Sequence, residues 1–440
     1  MHLELLKQII LDEQELPLPD LTDRDLKLTF VPEMSLSVVG ARRCGKSYRA
    51  LQQVKHLLAS GTQRENVCRV LFNDHRLVTV PASELHCIDN AYYSLYPEKK
   101  RREEVIFIFD EIHRIEGWED YVLYLLAEPT HKVLITGSTS KLLTGQIASA
   151  LRGKNFPSKL WPFSFAEFIR HHGVAPDTIS TGGQVRLRNM LATYIRQGGF
   201  PGLLSLPQTE HRRLLQTYWE TMVLRDVIEA HPDAKINISA FNSLVDALIS
   251  RVGCPMSIKR ILQTMTERGV HCSSTSLYLY LDYMREAFML ETAEFYSPSE
   301  KVRHRNYRKV YCVDWALADA VAPGSGIDPT RCLENMVYVE LRRRGYEVSY
   351  YRTRNGYEVD FVATPKSGGD PTLIQVAWAL DKPEVRDREV RALQKSVEFL
   401  GATNVLIVTN DEEMVLNTEA GPVLVMPAWK WLLTEEPEVR

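Results

Sequence analysis

At 440 residues the chain is too long for a single hydrophobic core, and about two to four domains are expected. With 45% hydrophobic and 25% charged residues it is too apolar for a disordered chain. A formal net charge of -3 confines any nucleic-acid surface to a local patch.

The opening segment, MHLELLKQIILDEQELP, mixes acidic residues with short apolar runs and lacks the layout of a signal peptide. No later stretch reaches the roughly 18–20 apolar residues needed to span a bilayer, so a cytoplasmic chain without a membrane segment is expected. The cysteines (Cys44, Cys68, Cys87, Cys254, Cys272, Cys312 and Cys332) are scattered, with no CxxC pair and no histidine at ligand spacing. Reduced thiols and no zinc site are expected from that spacing.

Residues 36–40 (LSVVG) read as a short apolar strand, and residues 40–47 (GARRCGKS) form a complete phosphate-binding loop. Gly40 and Gly45 let the backbone of Ala41, Arg42, Arg43 and Cys44 curl, so that successive N–H groups and a helix N-terminus converge on phosphate oxygens. Lys46 would bridge the β- and γ-phosphates of ATP, and the Ser47 hydroxyl would sit on Mg²⁺. The partner of such a loop is a buried strand that ends in a carboxylate. Residues 105–109 (VIFIF) are a continuous apolar run of that kind, leading into Asp110 and Glu111. Asp110 is expected in the Mg²⁺ shell, and Glu111 as the residue that orients or deprotonates the attacking water.

The next strand, 132–136 (KVLIT), runs into Gly-Ser-Thr-Ser. Ligands of doubly wound sheets bind at the carboxyl ends of strands, which makes Thr136, Ser138 and Thr139 candidate sensors of the γ-phosphate. A plain helix N-cap at Ser138 or Thr139 is an equally good account. Arg152, in LRGK, is a candidate finger for a neighbouring subunit's nucleotide, in competition with Arg42 and Arg43.

The strings GARRCGKS, FDEIHRIEGWEDYV, LITGSTSKLL, LRGK and WPFSFAEFI follow the order seen in a family of prokaryotic AAA+-like ATPases. Farther on, YIRQGGFPGLL, YWETMVLRDVI, KVYCVDWALADAV, LENMVYVELRRRGYEV and YEVDFV…LIQVAW resemble that family's C-terminal region. The resemblance spans nearly the whole chain. It implies an α/β architecture: a P-loop AAA+-type parallel-sheet domain, a winged-helix-like middle, and a restriction-endonuclease-like end similar to the PD-(D/E)xK fold. Expected boundaries fall near 1–170 for the ATPase domain, 171–235 for a helical connector, 236–325 for the winged-helix-like domain and 326–440 for the last domain. Such proteins are generally viewed as DNA-associated ATPases.

The residues of the middle segment carry the same idea independently. Residues 241–249 have helical apolar spacing, 257–265 form a second short helix capped by Ser257, and 273–286 form the would-be recognition helix. Strands over 288–295 and 308–313 would flank a basic loop holding Lys301, Arg303, Arg305, Arg308 and Lys309, placed to track DNA phosphates. A protein-interaction module with an incidentally basic hairpin is the plainer account.

In the last domain Glu334 falls on a helix, and strands are expected over 347–352, 357–362 and 372–377, followed by a helix over 385–400 and a closing strand over 404–408. In the PD-(D/E)xK arrangement Asp360 and Gln375 match the metal positions, with Glu334 assisting, but position 377, where the lysine belongs, is alanine. A fixed cation beside the nucleophile is worth orders of magnitude in rate, so a degenerate, DNA-binding or structural domain is the leading expectation. Lys382 is a possible substitute, and Glu358 and Asp360 are expected to pair with Arg352 or Arg354 across the hairpin. The overall expectation is an ATP-driven homo-oligomer, a hexamer among the candidates, acting on DNA. The alternatives are an ATP-regulated nuclease and a switch ATPase that binds a protein partner.

Overall fold

Five strands of five to seven residues build the first sheet of the computed structural model, which describes residues 3–77, 80–138, 149–324, 326–419 and 421–434. Its strands are β1 (Ser35–Val39), β2 (Val67–Leu71), β3 (Val105–Asp110), β4 (His131–Gly137) and β5 (Asn155–Lys159). They lie in the order β2-β3-β4-β1-β5, and every neighbouring pair is parallel. β1 and β3 are buried along their whole length, as strands covered on both faces must be. Leu36 faces Leu134 across the β1–β4 ladder, and Val38 faces Thr136. Leu36, Val38, Val54, Ile106, Ile108 and Leu134 are core residues here.

Because β4 separates β1 from β3, the carboxyl ends of all three meet on one edge, where open α/β sheets bind ligands. The helix Lys46–Ala59 follows β1 directly. The N-terminal helix Leu3–Glu15 buries Leu6, Ile9 and Ile10 at helical spacing and packs against β2 and the helix Cys87–Leu95. Burying each such side chain contributes about 1.5–3 kcal/mol.

The chain divides into two compact units. One runs through Trp161 and takes in Glu286–Phe288; the other comprises Pro162–Arg285 and Met289 onward. The second unit starts with helices. The first of these, Phe165–His171, is fixed by a reciprocal cap in which the Ser164 hydroxyl accepts from the Glu167 N–H and the Glu167 carboxylate accepts from the Ser164 N–H. Later come Ile238–Ile249, Ile258–Glu267 and Ser274–Glu286, the second capped by Ser257. Leu277, Tyr280, Leu281 and Met284 form the buried face of the third.

Nine strands then form one sheet: β6 (Pro255–Met256), β7 (Leu290–Phe295), β8 (Arg308–Cys312), β9 (Tyr346–Arg352), β10 (Glu358–Pro365), β11 (Thr372–Ala377), β12 (Asn404–Thr409), β13 (Met414–Thr418) and β14 (Gly421–Pro427). The order is β13-β14-β12-β11-β10-β9-β7-β8-β6. β8 pairs antiparallel with both β6 and β7. β9, β10 and β11 run antiparallel in turn, while β11, β12 and β14 are parallel. The helices Pro329–Arg343 and Pro383–Leu400 complete a helix, three strands, helix, strand sequence. Val359, Val362, Leu373, Leu393, Val405 and Ile407 pack in its core.

Two expectations need correction. The segment between β7 and β8 is not all loop: residues Glu300–Arg305 form a short helix. β12 does not close the sheet either, because β14 pairs in parallel with it and β13 pairs with β14. Among the described residues no helix is long and apolar enough to cross a membrane.

Candidate nucleotide site and a second charged cluster

The loop after β1 closes tightly on itself. Gly40 has φ 156°, and a Cβ built on it would lie 2.2 Å from the Leu160 carbonyl oxygen, so no side chain fits. Gly45, at φ 101°, stands immediately before the helix Lys46–Ala59. Between them Ala41 and Cys44 are buried, and burial raises the Cys44 thiol above its ordinary value. Lys46 is only 5% exposed and donates to the carbonyls of Gly40 and Ala41, each at 3.1 Å. Arg24 ties the loop down from outside the motif, donating to the Cys44 carbonyl at 3.0 Å and the Trp161 carbonyl at 2.6 Å.

The loop and the acidic pair meet directly. The Ser47 hydroxyl donates to Asp110 Oδ1 at 3.0 Å, and the Thr136 hydroxyl donates to the same oxygen. Asp110 Oδ2 accepts from Arg69 Nη2 at 2.9 Å, and Arg69 Nη1 reaches Glu13 Oε2 at 2.7 Å. Glu111 stands in the left-handed region at φ 61°, with its N–H donating to Thr136 Oγ1 at 3.1 Å. Thr136 therefore holds both acids, one through its proton and one through its lone pair. The Ser138 hydroxyl donates to Glu111 Oε1 at 3.1 Å, and His113 Nε2 lies 3.5 Å from Oε2. Burial works to raise the Glu111 pKa, but Lys46, His113 and Arg42, together with the Ser138 hydroxyl, outweigh it and hold the carboxyl below its ordinary range.

Of the residues expected at this site, Ser47, Asp110, Thr136, Glu111 and Ser138 are thus linked by hydrogen bonds, while Lys46 is held by the loop carbonyls. Thr139 lies outside the described residues. Arg42 is half-buried near Glu111, whereas Arg43 is exposed at φ 70° and Arg152 is exposed on a turn at φ 51°. Ser47 and Asp110 can offer oxygens to a divalent cation, Lys46 and the loop N–H groups can meet phosphate, and Glu111 supplies a carboxylate beside Thr136 and Ser138. Arg69 and Arg24 were not foreseen. The signal for Arg69 was available: in VCRVL it is the single charge inside an apolar strand, which requires a buried partner.

The second unit holds another cluster of charges, and there Lys309 departs from expectation. Rather than facing solvent with its basic neighbours, it is 1% exposed on β8. Its ammonium lies 3.1 Å from Glu334 Oε1, 2.9 Å from Glu358 Oε1 and 3.2 Å from Asp360 Oδ1, so it cannot track a phosphate. Burial opposes its charge, but the three carboxylates raise its pKa well above the ordinary value. Glu358 and Asp360 accordingly pair with Lys309 and not with Arg352 or Arg354 as expected. Arg308 pairs with Glu294 at 3.0 Å, and Arg303 donates to the Ser297 carbonyl at 2.8 Å. Lys301 and Arg305 are exposed on the short helix. Gln375 lies beside the cluster, accepting the Asp360 N–H at 3.2 Å and donating to Glu389 at 2.6 Å. Lys382 stands exposed at the start of the helix Pro383–Leu400.

Comparison with known proteins identifies three segments of the chain. An AAA domain model matches residues 33–169, a domain of unknown function (DUF8612) matches 188–330, and a second one (DUF4143) matches 330–431. A Haemophilus influenzae protein, itself named only as uncharacterized, is 28% identical over 78% of this chain and 82% of its own length. Among solved structures, the Walker-type ATPase PABY2304 of Pyrococcus abyssi is 13% identical over 66% of this chain and 90% of its own, with a TM-score of 0.40. The Aeropyrum pernix ORC1 protein, solved in complex with DNA, is 12% identical over 72% and 90%, with a TM-score of 0.28. Identity to the uncharacterized protein MJ1544 of Methanocaldococcus jannaschii is 30%, over 98% of this chain and 95% of that one. The chain belongs to the same family as MJ1544, and its residues 33–169 are the AAA domain of a P-loop ATPase.

Proposed function

We propose that this protein hydrolyses ATP and uses the cycle to bind and remodel DNA, with branched DNA the leading substrate. The observation that carries the hydrolytic part is the 3.0 Å hydrogen bond from Ser47 to Asp110, which joins the phosphate loop to the acidic pair. In this reading Ser47 and Asp110 hold Mg²⁺, Lys46 meets the β- and γ-phosphates, and Glu111 orients or deprotonates water. Magnesium when bound draws charge from the phosphate oxygens. Thr136 and Ser138 keep the two acids aimed, and Arg152 is the candidate finger toward a neighbouring copy in a ring.

The DNA part rests on the segment 236–312. Three helices are followed by the β7–β8 hairpin, with β6 added to β8, an order that supports the winged-helix reading. Tyr278 and Leu279 are exposed on the third helix, at 53% and 45%, and Lys301 and Arg305 are exposed between β7 and β8. The exposed cations supply the phosphate contacts that a duplex-binding segment uses.

Labelled duplex, fork and four-way junction, each incubated with the protein and with or without ATP and Mg²⁺, would test the proposal. ATP-dependent strand movement on the junction, lost in Lys46→Ala, is the expected result. Failure to bind any of the three at low salt would overturn the DNA part, and the absence of phosphate release would overturn the ATPase part.

A further inference from the structure

The order of helix Pro329–Arg343, strands β9 to β11, helix Pro383–Leu400 and β12 is that of the PD-(D/E)xK fold, which implies a divalent metal held by Asp360 and Gln375. The side chains do not fit that ion. Asp360 Oδ1 is engaged by Lys309 at 3.2 Å, and Oδ2 accepts the Val376 N–H at 3.0 Å. Gln375 spends its carbonyl on the Asp360 N–H and its amide on Glu389. Glu334 Oε1 accepts from both Lys309 and the Tyr311 hydroxyl, the latter at 2.7 Å. Among the described residues, no group of three or more His, Cys, Asp and Glu is arranged to hold a metal ion.

What stands among these acids is an ammonium. Lys309 is supplied by β8, which reaches the acid-bearing strands through β7 and β9 in one continuous sheet. Its side chain is 1% exposed, and all three of its carboxylate contacts are between 2.9 and 3.2 Å. A buried ammonium directed at three carboxylates satisfies the two conditions a metal would satisfy, neutralisation and convergent donors, without needing a vacant coordination position. Closing the space further, a Cβ at Gly253 would lie 2.8 Å from the Glu334 carboxylate, so the backbone there leaves no room beside that acid.

We propose that Lys309 is a built-in cation that takes the metal's place, so that the last domain keeps the nuclease-type acid cluster without binding a divalent ion or cutting DNA. The inference is independent of whether the first unit hydrolyses ATP. It also accounts for position 377 being alanine: with no metal-bound hydroxide to steady, a lysine on β11 has no task.

The test is Mn²⁺ binding to the full-length protein without nucleotide, read from the free-ion signal in electron paramagnetic resonance. In an otherwise wild-type chain, Asp360→Asn is expected to leave the number of bound ions unchanged. Lys309→Met is expected to bind one more ion per chain than the wild type, and adding Asp360→Asn is expected to remove it. Plasmid DNA with Mn²⁺ or Mg²⁺ should stay intact with the wild type. Three results would each overturn the proposal: fewer bound ions in Asp360→Asn alone, a folded Lys309→Met that gains none, or metal-dependent cleavage by the wild type that Asp360→Asn abolishes. If Lys309→Met does not fold, the wild type against Asp360→Asn comparison and the cleavage assay still decide the matter.

Discussion

Arg69 and Asp110, on neighbouring strands β2 and β3, form a buried ion pair at 2.9 Å, and the same guanidinium holds Glu13 of the N-terminal helix at 2.7 Å. The acid expected to hold magnesium is therefore connected, through one arginine, to a helix near the start of the chain.

Breaking this pair should be costly. Arg69→Met leaves the Asp110 carboxylate, 2% exposed as a residue, without its buried counter-charge. A loss of about 3–5 kcal/mol in unfolding free energy is expected, measured by urea titration. Glu13→Gln keeps the Arg69–Asp110 contact and should lose only about 1 kcal/mol.

Replacement of the two principal site residues should separate binding from turnover. Lys46→Ala is expected to abolish binding of a fluorescent ATP analogue. Glu111→Gln should bind the analogue normally while phosphate release falls roughly 10²- to 10⁴-fold, the usual worth of a general base. Wild-type turnover in Glu111→Gln would show that another group activates the water.

The acid limb of the ATPase pH profile should report on Glu111. Its carboxyl is held below the ordinary value of 4.5, with the Ser138 hydroxyl among the groups that lower it. Its folded pKa being depressed, its contribution to stability is present above 4.5 and is lost as pH falls below that value. Ser138→Ala removes a donor to the charged form, so the acid limb is expected to move to higher pH, measured as kcat against pH in constant ionic strength.

For the cationic segment between β7 and β8, the double change Lys301→Ala and Arg305→Ala should weaken DNA binding about equally for all sequences. If both residues meet phosphates, the slope of log K against log salt should become shallower by about 1.8, near 0.9 per phosphate contact. Fluorescence anisotropy at several salt concentrations would measure it. Arg308, already paired with Glu294, should contribute less.

The sequence made the first site legible because its elements are local. GARRCGKS sets the loop by spacing alone, and VIFIF can only be a strand covered on both faces. β11, at Thr372–Ala377, and the helix Pro383–Leu400 were readable for the same reason. What escaped depends on distant partners. Lys309 stands in RNYRKVYCV with two other cations, Arg305 and Arg308, and so reads as solvated. Strand alternation carried the missing signal: Lys309 and Tyr311 are two apart, share one face of β8, and both touch Glu334. The strands β13 and β14 were missed because they lie close together near the end of the sequence, where nothing local distinguishes a paired edge from a tail.

The left-handed backbone at Glu111, φ 61°, sets stability against activity at one position. A side chain with a β-carbon in that region costs about 1–2 kcal/mol that glycine would not. Selection of variants for heat resistance alone would therefore favour Glu111→Gly, relaxing the turn while deleting the proposed base. A thermostable and inactive clone recovered at that codon would mark the protein as one that tolerates local strain in order to aim a carboxylate.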